Sequence, residues 1–158
     1  MKGIRDDIRR FGIDILCADS YRNAKKHVQH GNVSVFRHSM HVAEMSLKWA
    51  RKLPIRFSEK ELVRGALLHD YFQYDWHGRK SEFPKIFKMH GFTHAKRALE
   101  NAKRDFDLGH IERDIIAKHM WPLTLRSIPK HRESWLVTAA DKYVSLMETL
   151  HILKGDLK

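Results

Sequence analysis

The chain has 158 residues, 42% hydrophobic and 31% charged, which suits one domain with a real core and excludes the low-hydrophobicity signature of disorder. Thirty Lys and Arg against nineteen Asp and Glu leave a formal charge of +11, which favours anionic partners, and a single cysteine, Cys17, excludes an intrachain disulfide or a thiolate zinc cluster. The longest apolar stretch, Trp135 to Ala140, falls far short of the roughly 20 residues of a membrane span, and charges interrupt Met1 to Asp7 where a secretory signal needs an apolar run. No membrane association is expected, and a reducing cytoplasm is the expected compartment.

Six segments carry helical periodicity or helical signals. The first covers about 4 to 30, broken near Asp19 and Ser20, and belongs to an N-terminal extension, 1–33, packed on a motif-bearing core of about 34–150. The second covers 34 to 53. The third, 59 to 72, opens on a capping box of Ser58 with Glu61. The fourth covers 93 to 106 and the fifth 110 to 120. Pro129 marks a stop before the sixth, 133 to 153. The other prolines, Pro54, Pro84 and Pro122, also stand singly between segments, and no run alternates convincingly with period two. The expected architecture is all-α, one domain of helices around one core.

Twelve histidines are the feature that composition leaves unexplained, because imidazole is chiefly useful as a metal ligand or proton carrier. Their helical positions separate them. His38 lies at −3, +4, +7 and +11 from Val35, Val42, Met45 and Trp49, in the apolar stripe, whereas His41 points to the polar flank with Glu44 and Lys48. Leu62, Val63 and Ala66 turn both His69 and Asp70 inward. His119 stacks on Ile115, Ile111 and Leu108, and Asp141 borders the core through Val137 and Val144. His94 lies beside Ala98 and Ala102, at the edge of a small-residue face suited to close packing. His27, His30, His77, His110 and His151 fall in loops, near ends or on polar faces and read as solvated. Any one buried polar group can be satisfied by a hydrogen bond, but several ionisable groups turned into apolar surroundings ask for a common reason. A divalent metal held by imidazole nitrogens and carboxylate oxygens supplies it.

The order His38, His69-Asp70, Asp141, each on a helix, resembles the HD-domain superfamily of metal-dependent phosphohydrolases. Arg37-His38-Ser39-Met40-His41-Val42-Ala43, Ala66-Leu67-Leu68-His69-Asp70 and Ala139-Ala140-Asp141-Lys142 are similar to its local strings, over roughly 34 to 150. A subset of that family adds two histidines between the HD pair and the last aspartate. His94 and His119 match those positions, with His90, one turn earlier, as the competitor for the first and otherwise a substrate contact. The Gly-Tyr-Pro element of the cyclic dinucleotide branch is absent, Trp121-Pro122-Leu123-Thr124 standing nearby instead.

The resemblance implies a pair of divalent ions, from Fe, Mn, Co or Zn. Asp70 would bridge them as the catalytic carboxylate, His38, His69 and Asp141 would hold one, and His94 and His119 would complete the other. It implies hydrolysis of a phosphoester, a nucleotide or other small phosphorylated metabolite, by a metal-activated hydroxide attacking phosphorus. Lys142 and Arg126 are the cations expected to meet the substrate phosphate. Two alternatives share the ligand set: a di-iron oxygenase, and an HD scaffold that binds without turnover. Basic residues are scattered with no block of five or six, and Trp49, Trp76, Trp121 and Trp135 read as core or pocket wall, so nucleic acid is not the expected partner.

Overall fold

The computed structural model of the chain describes residues 3–30, 32–71 and 85–153, with side chains for all of these except 28–30 and 85–93. Three short helices, α1 (Ile4–Phe11), α2 (Ile13–Cys17) and α3 (Asp19–Arg22), lead through a 3₁₀ turn at Asn23–Lys26 into a two-stranded antiparallel ribbon, β1 (Val28–His30) with β2 (Val33–Ser34). The longer helices follow: α4 (Val35–Lys52), α5 (Glu59–Leu68), α6 (Lys85–Asp105), α7 (His110–Lys118) and α8 (Arg132–Thr149). The fold is all-α apart from the ribbon, whose strands are too short to show alternation in the sequence. Among the described residues no helix is long and apolar enough to cross a membrane.

The N-terminal segment breaks at Gly12 and Ala18, rather than once near Asp19. It packs through Ile8, Ile15 and Tyr21, all fully buried, onto the same apolar cluster that α4, α5, α7 and α8 build with Leu47, Leu62, Leu67, Ile115, Ile116, Val137 and Val144. Each such aliphatic side chain contributes on the order of 1.5–3 kcal/mol when taken from water. The Tyr21 hydroxyl donates to the Leu67 carbonyl at 2.9 Å, at the end of α5.

Ser34 caps α4, its Oγ accepting from the Arg37 amide at 3.1 Å. The box expected at Ser58 does not form. Ser58 makes no side-chain cap, and its amide donates instead to Glu133 Oε1 of α8 at 2.9 Å. A carboxylate does close back on the start of α7, where the Gly109 amide donates to Glu112 Oε2 at 2.6 Å. Helix α6 begins eight residues before the expected 93 and runs through Gly91, a residue that costs about 1 kcal/mol inside a helix without ending it.

Helices α5 and α7, which deliver His69, Asp70 and His119, approach each other at Gly65. A Cβ there would stand 3.0 Å from both Cβ and Cγ2 of Ile115. Gly65→Ala is therefore expected to lower stability in urea unfolding by about 1–3 kcal/mol through overpacking, although alanine is the better helix former by about 1 kcal/mol. A gain in stability would contradict this close packing.

Candidate metal centre

Two histidines are set by the same local construction. His69 and His119 each occupy the C-cap of a helix, α5 and α7, where the last carbonyls lack intrahelical donors. His69 Nδ1 bonds the Ala66 carbonyl at 2.7 Å and His119 Nδ1 bonds the Ile116 carbonyl at 2.9 Å, both three residues back. A carbonyl only accepts, so each Nδ1 carries the proton and, in the neutral ring, each Nε2 carries the lone pair. Both rings are buried, and neither Nε2 has a hydrogen-bond partner among the described residues.

Those two nitrogens converge on carboxylates. Asp70, in the turn just after α5, sends its two oxygens to different neighbours: Oδ2 lies 3.3 Å from His69 Nε2 and 3.7 Å from His38 Nε2, while Oδ1 lies 2.5 Å from His94 Nε2 and 3.3 Å from His119 Nε2. Asp141 Oδ1 lies 3.1 Å from His38 Nε2 and 3.6 Å from His69 Nε2. Two triads result, His38 with His69 and Asp141, and Asp70 with His94 and His119. Within each triad the nearest donor atoms all lie within 4.8 Å of one another. Five of the six residues are buried and His94 is partly so.

The electrostatics match this geometry. Burial opposes ionisation of Asp70, yet the surrounding histidines hold its carboxyl well below the usual range; burial is likewise outweighed at Asp141 by His38, His69 and Lys142. Burial disfavours charge on His69 and His38 too, but the carboxylates beside them push these rings up to about 10 and about 9. Burial holds His119 below its ordinary value. The carboxylates thus draw cationic charge into a buried site, and a hard or borderline divalent ion fits such a nitrogen and oxygen donor set.

Of the six residues expected as ligands, all converge. His90 lies one turn before His94 on α6, with its side chain outside the described residues. Lys142, 42% exposed at the rim, donates to Asp141 Oδ2 at 2.8 Å and to the His119 carbonyl at 3.0 Å, leaving Asp141 Oδ1 toward the histidines. Arg126 is exposed in the loop between α7 and α8. Trp121 and Trp135 stack edge to face at 4.8 Å, with Trp135 41% exposed, while Trp49 packs partly buried on the core; Trp76 lies outside the described residues.

The reading of His41 is corrected: it does not point out along a polar flank but is buried, and its Nδ1 bonds Glu148 Oε1 at 2.8 Å. Glu148, which the sequence reading missed, bonds His38 Nδ1 through Oε2, also at 2.8 Å. The spacing of Asp141, Val144 and Glu148 at i, i+3 and i+7 was the available signal, since it places Glu148 on the inward stripe of α8. Of the histidines read as solvated, His110 and His151 are exposed and His27 is half-buried, while the side chain of His30 and all of His77 lie outside the described residues.

Comparison with known families gives one match, to the HD domain, over residues 35–146, well over half of the chain. Searches of curated proteins and of solved structures returned no match. The matched span runs from the first turn of α4 to the last third of α8 and contains all six converging residues. The chain belongs to the HD-domain family, whose members are generally metal-dependent phosphohydrolases.

Proposed function

We propose that this protein hydrolyses a phosphoester of a small anionic metabolite, such as a nucleotide, with two divalent ions held by His38, His69, Asp70, His94, His119 and Asp141. The observation that carries the reading is the division of Asp70, one oxygen to each triad, beside two buried imidazole Nε2 atoms that have no hydrogen-bond partner among the described residues. Two buried carboxylates among ring nitrogens without hydrogen-bond partners are costly unless cationic charge lies among them. Bound divalent ions supply Lewis acidity, a water acidified toward neutrality and compensation for phosphate charge.

The chain's own groups have separate parts in this reading. Asp70, with one oxygen toward each triad, would be the carboxylate that holds both ions and is the candidate for a catalytic one. The Ala66 and Ile116 carbonyls fix which nitrogens His69 and His119 present. Lys142 positions Asp141 and, half-exposed, is the cation proposed to meet a substrate oxygen. His90 and Arg126 are the further substrate contacts proposed, and the charge of +11 favours an anionic substrate. In the overall reaction water gives its hydroxyl to phosphorus and a proton to the departing alcohol.

The test is a panel of phosphomonoesters and phosphodiesters with Mn²⁺ or Fe²⁺, run in ¹⁸O-labelled water. Phosphate or phosphomonoester product carrying the label supports hydrolysis at phosphorus. Oxygen uptake by the ferrous protein without phosphate release would overturn it in favour of an oxygenase. Metal should also stabilise the fold: Mn²⁺ at 100 times its Kd is expected to add about 2.7 kcal/mol, read as a rise in Tm. No rise at saturating metal would count against the site.

A further inference from the structure

Glu148 is a carboxylate whose side chain is fully buried, yet it belongs to neither triad and meets the six converging residues through His38. Each of its oxygens takes one imidazole, Oε2 from His38 Nδ1 and Oε1 from His41 Nδ1, both at 2.8 Å. His38 and His41 lie on adjoining positions of α4, and Glu148 reaches them from the last turns of α8, so the contact also ties these two helices together.

We propose that Glu148 and His41 act as a positioning clamp that dictates which nitrogen His38 presents to the metal centre. An ionised carboxylate only accepts, so both histidines must hold a proton on Nδ1. For His38 this leaves Nε2, whose proton toward Asp141 Oδ1 at 3.1 Å is the one an ion would displace, as the ligand nitrogen. His41 holds the second oxygen and so stops the carboxylate from rotating away from His38. The functional part of this inference rests on the metal reading above; the assignment of protons does not.

Substitution by glutamine separates the two. An amide offers one acceptor and one N–H donor where two ring N–H groups point, so Glu148→Gln can satisfy only one ring in its present state. The other must lose its bond or give up its Nδ1 proton, and if that ring is His38 the remaining proton stays on Nε2, toward Asp141, and the ligand nitrogen is blocked. For His41 the conservative change is His41→Asn, whose amide nitrogen stands near the place of Nδ1 and can still donate, whereas His41→Ala cannot.

The experiment has two arms. In metal-free protein, imidazole proton–nitrogen NMR should show hydrogen-bonded Nδ1–H groups on His38 and His41, with one of the two lost in Glu148→Gln. Titration with Co²⁺, followed by its visible absorption, should show affinity falling about 10–100-fold in Glu148→Gln, falling in His41→Ala and recovering in His41→Asn. Both Nδ1–H signals persisting in folded Glu148→Gln would overturn the clamp, as would unchanged Co²⁺ affinity in that variant. If Glu148→Gln does not fold, equal affinities for His41→Ala and His41→Asn would overturn it. Wild-type protein that shows both Nδ1–H signals but takes up no Co²⁺ would contradict the metal reading while leaving the proton assignment intact.

Discussion

Asp70→Asn is expected to abolish phosphoester hydrolysis and to leave at most one metal equivalent bound. The change keeps the shape of the side chain but replaces one acceptor oxygen with an N–H donor and removes the charge. Whichever way the amide turns, a donor faces either the His38 and His69 side or the His94 and His119 side. One triad therefore meets an N–H where it needs a ligand, and the shared negative charge between the two is gone. Loss of a single electrostatic contact at a reacting centre costs on the order of 10²–10³-fold in rate, and removal of a ligand common to both triads should cost at least as much in kcat/KM. Steady-state kinetics with elemental analysis of the same samples decides it. Activity within tenfold of wild type, or two equivalents still bound, would contradict the bridging role.

The largest effect on stability is expected away from that centre, at Arg64. Its guanidinium, on α5, bonds Glu112 Oε1 of α7, both oxygens of Asp14 in α2 and the carbonyl of Asp107 after α6, the last at 3.0 Å. Arg64 and Glu112 are 7% and 4% exposed, so the pair is out of water. Arg64→Met preserves much of the apolar stem but leaves Glu112 buried without its counterion, a loss of about 3–5 kcal/mol. That is a large share of the roughly 5–15 kcal/mol that holds an ordinary domain together. Adding Glu112→Gln to Arg64→Met should recover part of the loss, because the unpaired charge is then removed. Urea unfolding of the single and double variants measures both effects. A loss below about 1 kcal/mol for Arg64→Met would place the contact with exposed ion pairs instead.

The converging residues were legible in the sequence because each lies on or just past a helix whose apolar neighbours define an inward direction. His38 with Val35 and Val42, His119 with Ile115, and Asp141 with Val137 and Val144 all follow that rule, and the five apolar neighbours and the three polar residues are all buried. The Glu148 and His41 pair escaped because its partners are 107 residues apart. His41 looks polar-facing when α4 is read alone, and only the placement of α8 against α4 turns that flank inward. The missing box at Ser58 has the same cause, since Glu133, from 75 positions further along, takes the amide that a local partner was expected to hold. Spacing within one helix reports which face is buried. It does not report which polar group on another helix meets that face, and it cannot set helix ends such as those at Gly12 and Ala18, where several short helices pack in sequence.

Metal content is the most direct measure of the central claim. Protein isolated without a metal-affinity step, reconstituted with Mn²⁺ and freed of excess, should carry about two equivalents per chain by elemental analysis, with His94→Ala and His38→Ala each reducing that number. Folded wild-type protein that retains no metal under these conditions, or that retains the same amount when His38 and His94 are both replaced by alanine, would contradict it.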